Sequence, residues 1–198
     1  MRRKWSELFA DEAVPMQGYF SPKALNVYEY IQLYMLVSNT STLVLLAKIG
    51  LLEKFAETSP KVAIPTQVRT EYAFERNSYY ARLIDRLINE KKIEVKYVDD
   101  KALAAVLRNF RLDRGEAAAY LLYKRGKYEA VLTDDGELIK LCKLDGIPFL
   151  CALSVVIRLY EKGLISRGEA RERISKLNKI GRYSSAIYEH FSRQLEKR

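Results

Sequence analysis

Apolar positions along the chain fall into five short blocks, separated by longer stretches in which they recur at helical spacing. Tyr34 to Ser38 reads as the first strand, and the polar run Ser38, Asn39, Thr40 and Ser41 joins it to Leu43, Leu46, Ala47 and Gly50, which recur as one helix face. A hydroxyl at Thr40 or Ser41 is expected to cap that helix by accepting from an unpaired backbone N–H. Val62 to Ile64, bounded by Pro60 and Pro65, reads as the second strand, with Pro65 suited to the first turn of the next helix. Val68, Tyr72, Leu83, Leu87 and Ile88 supply apolar helix faces, with a break near Asn77. Ile93, Val95 and Tyr97 alternate with Glu94 and Lys96 and predict a third strand. Helices over Lys101 to Phe110 and Asp113 to Lys124 precede a compact fourth strand, Ala130 to Thr133. A helix to about Leu144 and a turn at Gly146 and Pro148 lead to the fifth strand near Phe149. Beyond Ser154 only helical patterns remain, over Val155 to Lys162, Arg167 to Lys179 and Ser184 to Glu196.

Strand and helix alternating through five strands predict an α/β domain, a parallel sheet with helices on both faces. In such a sheet, reacting groups gather where the carboxyl ends of strands meet the following helices. Residues 1 to 32 carry few periodic cues and read as an irregular or partly helical extension. Residues 33 to 198 read as one domain, with the C-terminal helices packed on the sheet.

Charge adds a partner class. Arg158 to Arg198 holds eleven Lys and Arg against five Glu, so this segment carries +6 of the net +9. A basic segment on a less charged body is the footprint of a nucleic-acid binder, although a solvated helix face or an acidic protein partner would give the same count. The other classes are excluded more readily. The longest apolar run, Ala117 to Tyr123, is far below the ~18 residues of a membrane span. The start, MRRKWSELFADEAV, lacks the long apolar segment of a secretory signal, so a cytoplasmic protein is expected. Cys142 and Cys151 sit in apolar surroundings and read as core residues, and one histidine, His190, gives no triad or zinc set. Tyr183, Tyr188 and Phe191, interleaved with Arg182 and Arg193, either stack bases or seal a helix onto its neighbour. No phosphate-cradling glycine loop is present.

Three acidic segments would reach the same sheet edge as Asn39. Glu71 in PTQVRTE lies just past the second strand, and taken alone it is an ordinary solvated glutamate. Glu116 in LDRGEAAAY lies three residues after Asp113, the spacing of a capping box. Gly115 does not decide between that and a site role, while the alanines at 117, 118 and 119 allow close approach to the sheet. Asp134 and Asp135 in VLTDDGE follow a buried strand, and adjacent carboxylates there are costly unless something positive is near; either one could simply cap the next helix. Together the three segments form a hard-oxygen set suited to Mg2+ or Mn2+.

The motifs SNTSTLVLLAKIGLL, PTQVRTEY, DRGEAAAY and VLTDDGELIKLCKLDGIP, in this order, resemble the PIN-domain superfamily. More narrowly the chain is similar to an uncharacterised prokaryotic PIN-like group with a Ser-Asn-Thr-Ser start and a C-terminal segment of the type GLISRGEARERISKLNKIGRYSSAIY. The resemblance implies a metal-dependent ribonuclease whose acidic positions fall on Asn39, Glu71, Glu116 and Asp135, with Asp134 as an assisting metal ligand. The expected activity is that of a divalent-metal-dependent endoribonuclease, toxin-like and held by a small antitoxin; a homo-oligomer is left open. Asn39 departs from the acidic pattern and removes one negative charge. The alternative is therefore a PIN-like module for RNA binding or protein interaction that is weakened in cleavage.

Overall fold

The computed structural model describes residues 35–59, 61–73 and 78–196, so the expected N-terminal extension and the break near Asn77 lie outside the described residues. Five strands form one parallel sheet: β1 (Met35–Ser38), β2 (Lys61–Pro65), β3 (Ile93–Lys96), β4 (Ala130–Leu132) and β5 (Phe149–Leu150), in the order β3-β2-β1-β4-β5. β1 is central, with Val37 opposite Ala63 on one side and Val131 on the other.

Burial on both faces explains why the strands read as continuous apolar runs. Leu36, Val62, Ile64 and Leu132 face one core, and the alternate residues Val37, Ala63 and Val131 face another. The first core is covered by α1 (Thr40–Lys48), α2 (Leu52–Thr58), α4 (Tyr79–Asn89), α8 (Ala152–Glu161), α9 (Arg167–Ile180) and α10 (Ser185–Glu196). The second is covered by α5 (Asp100–Asn109), α6 (Arg114–Arg125) and α7 (Gly136–Leu144). α3 (Thr66–Ala73) leaves the carboxyl end of β2. Ala117, Ala118 and Ala119 are fully buried, and these small side chains let α6 lie close against the sheet.

Several local expectations change. Asn39, not Thr40 or Ser41, occupies the N-cap of α1, and it makes no side-chain cap bond because its amide oxygen accepts from Ser41 and its amide nitrogen donates to Thr133. Pro65 ends β2, paired with Lys96, instead of opening α3. Tyr97 lies past the end of β3 and is 76% exposed. The helix α2, anchored by Leu52 and Phe55, was not foreseen; two large apolar residues in seven are too few to show a period. Tyr183, Tyr188 and Phe191 pack against the first core, so they seal the C-terminal helices onto the domain. Cys142 is fully buried, and Cys151 is half-buried at the N-cap of α8, with Sγ 3.3 Å from Ser154 Oγ. Among the described residues no helix is long and apolar enough to cross a membrane.

Candidate functional site

The chain runs from β1 outward through β2 to β3, then returns to the other side of β1 for β4 and β5. This reversal places the residues after β1 beside those after β4, the position where open parallel sheets bind ligands. Asn39 Nδ2 donates to Thr133 Oγ1 at 3.1 Å, and Asn39 Oδ1 accepts from Ser41 Oγ at 2.9 Å. The amide is 2% exposed, and both of its ends are engaged inside the protein. Thr133 Oγ1 also accepts from the Asp135 N–H at 3.1 Å. Asn39 thereby braces the turn that carries Asp135.

Asp135 caps α7: its Oδ1 accepts from the N–H groups of Glu137 at 2.9 Å and Leu138 at 2.8 Å. Its carboxyl also meets that of Glu116 within hydrogen-bond reach. Glu116 lies in the first turn of α6 and forms the capping box with Asp113: its N–H donates to Asp113 Oδ1 at 2.8 Å, and its Oε2 accepts from the Asp113 N–H at 3.0 Å. Burial pushes the Glu116 carboxyl up to about 8, against the lowering bond from Asp113, and the charges of Asp113 and Asp135 push it further the same way. The capping box and the site role therefore coexist in one side chain.

Glu71 is held by neutral donors. Its Oε2 accepts from the Thr40 hydroxyl and its Oε1 from the Gly115 N–H at 2.8 Å. Burial raises its pKa first; the Thr40 bond opposes this and the charge of Asp113 adds to it. A Cβ on Gly115 would lie 2.3 Å from Glu71 Oε1, so this glycine is what allows the carboxylate to sit on the α6 terminus. Asp113 lies between the two glutamates, close enough to act on both.

Asp134 faces the opposite side. Its Oδ2 accepts from Thr42 Oγ1 at 2.6 Å, its Oδ1 from the Tyr183 hydroxyl, and both oxygens from the Ala152 N–H at 3.0 and 3.2 Å. These donors come from α1, the loop before α10 and the start of α8. Glu71, Asp113, Glu116 and Asp135 thus follow one another along the edge, Asn39 stands behind them, and Asp134 is turned away. Among the described residues no three His, Cys, Asp or Glu converge on one point as a metal-holding group. Acids meet here in pairs, Glu116 with Asp135 and Glu71 with Asp113.

Sequence reasoning placed Thr40 only in the polar junction and did not assign Thr42, Asp113 or Tyr183 to this edge. The hydroxyl run of SNTST was visible as a polar junction, but nothing local identified its partners. No curated protein shows significant similarity to the chain. The sequence model of the PIN domain matches residues 35–197, which takes in all five strands and every residue of the edge described above. With that match over most of its length, the chain belongs to the PIN-domain family.

Proposed function

We propose that this chain, whose fold is of nuclease type, is a divalent-cation-dependent endoribonuclease. Glu116 and Asp135 would hold the cation, with Glu71 flanking them. The observation that carries this reading is the proximity of the Glu116 and Asp135 carboxyls: among the described residues no basic side chain offsets it, and Glu116 is left short of its charge. Two hard oxygen donors that must otherwise share a proton suit a small divalent ion. Such an ion supplies Lewis-acid activation of water and neutralises charge developing on a phosphodiester.

The remaining residues have roles of their own. Thr133 and the α7 N–H groups fix Asp135, while Thr40 and Gly115 fix Glu71. Asn39 contributes bracing: Ser41 already occupies its amide oxygen, and the missing charge falls behind the pair. Asp134, committed to Thr42, Ala152 and Tyr183, supports the turn from behind. RNA is the favoured substrate because Arg171, Lys176, Lys179 and Arg182 stand exposed on α9 and the loop after it, in the most basic part of the chain. A toxin-like role under an antitoxin draws only on kinship.

The test is cleavage of single-stranded RNA with Mn2+ by the wild type, Asp135→Ala and Asn39→Asp. Asp135→Ala should lose more than about 100-fold in rate, beyond the 10–100-fold typical of outer-shell changes. Equal cleavage by wild type and Asp135→Ala would refute the enzyme. The engaged amide of Asn39 favours a second reading, a binding module, and cleavage seen only with Asn39→Asp would select it.

A further inference from the structure

Tyr183 lies in the loop between α9 and α10, remote in sequence from the sheet edge, yet its hydroxyl ends on Asp134, the residue next to Asp135. The loop is shaped around this ring. A Cβ on Gly181 would lie 2.4 Å from Tyr183 Cε2, so only glycine leaves room for the tyrosine to fold back. The ring then packs against the first core, alongside Tyr188 and Phe191. Asp134 receives a second hydroxyl from Thr42 and the N–H of Ala152, so one carboxylate ties α1, α8 and the C-terminal helices to the end of β4.

We infer that Tyr183 is a positioning residue for Asp135, acting through Asp134. Peptide planes leave few soft torsions between neighbouring residues, so a carboxylate fixed at 134 constrains the backbone at 135. The Asp135 N–H reaches Thr133 and its Oδ1 reaches Glu137 and Leu138 only with that backbone in place. The loop between α9 and α10, through Tyr183, thereby belongs to the site's framework. In one of its two readouts this inference rests on the cation reading of the Glu116–Asp135 pair; in the other it does not.

The experiment compares full-length wild type, Tyr183→Phe, Thr42→Val and Leu195→Ala. Leu195 is buried in α10 and its apolar side chain takes no part in the hydrogen bonds of Asp134, so its truncation loosens the C-terminal helices without removing a member of the relay. The readouts are Mn2+ affinity by electron paramagnetic resonance and amide exchange at Glu137 and Leu138 relative to globally exchanging amides. Tyr183→Phe keeps the ring and should weaken Mn2+ binding about 10-fold, the lower range for loss of an outer-shell partner, while both amides exchange faster. Thr42→Val should move both readouts the same way, and it decides the relay if Tyr183→Phe does not fold. Leu195→Ala should lower the melting temperature and move neither. Wild-type exchange at both amides in Tyr183→Phe, or the same changes in Leu195→Ala, would overturn the inference. If wild type binds no Mn2+, or if the amides open while affinity holds, the cation reading falls and the positioning role is still decided by exchange.

Discussion

Asp134 and Asp135 are neighbours on one strand end, yet their surroundings differ in kind. The first points toward α8 and is met by two hydroxyls and a backbone N–H; the second points toward α6, caps α7 and meets another carboxylate. Both regions desolvate acids, and burial raises the pKa of Asp134 as it does that of Glu116. What separates them is satisfaction. Around Asp134 each oxygen has donors, so the region is complete as built. Around Asp135 two acids meet with only backbone donors between them among the described residues, and on the proposed reading that is where a cation would sit. A buried acid by itself says little about function; the donors that surround it say more.

The sharpest way to break this contrast is to remove each acid in turn. Asp134→Ala strands the Thr42 and Tyr183 hydroxyls and the Ala152 N–H, and leaving such donors unpaired should cost about 3 kcal/mol. Asp135→Ala loses a helix cap, worth about 1 kcal/mol, and relieves Glu116 at the same time. Urea unfolding without divalent ions should therefore rank Asp134→Ala as much the less stable. Equal losses would mean that the two regions do the same job.

This contrast was not legible in the sequence. The strands were, because Leu36 and Val37, Val62 to Ile64, and Val131 and Leu132 form short apolar runs, buried on both faces, flanked by prolines, turn residues or helical spacing. The approach of α6 to the sheet was foreshadowed by three alanines. Glu71, Glu116, Asp134 and Asp135 could also be listed, the first and the last two because they follow strands and Glu116 because the alanines beside it bring α6 to the sheet. Their division could not: whether Asp134 or Asp135 faces α6 depends on the twist at a strand end, and Tyr183, which settles it, lies 49 positions away. Gly115 was equally mute, because the atom it excludes belongs to Glu71, 44 positions earlier.

A change of pH sharpens the comparison next. An unfolded glutamate ionises near 4.5, while Glu116 in the fold holds its proton to about 8. Across that window the unfolded state binds fewer protons, so stability falls as pH rises, and the contribution is fully present only below the lower value. Glu116→Gln should flatten this part of the profile, measured as urea midpoints at pH 5 and pH 8. Mn2+ should raise the wild-type midpoint more at pH 8 than at pH 6, because binding must displace the shared proton. The same ion should leave Glu116→Gln nearly unmoved. A wild-type profile that rises between pH 5 and 8, with no cation effect, would remove the pair as the unsatisfied region.

The smallest effect concerns Gly115, which serves the unsatisfied side as Tyr183 serves the satisfied one. Alanine in a helix is ordinarily favoured over glycine by about 1 kcal/mol, somewhat less in the first turn. Here the new Cβ would meet the Glu71 carboxylate, so Gly115→Ala should destabilise the protein by about 1 kcal/mol as Glu71 is driven from Thr40 and the α6 terminus. Removing the obstacle should reverse the sign. In a Glu71→Ala background the added methyl has only helix propensity to express, and Gly115→Ala should stabilise by about 0.5 kcal/mol. A double-mutant cycle by urea unfolding reads the difference directly. A coupling near zero would show that the glycine is kept for its own backbone, and the Glu71 seat would then need another explanation.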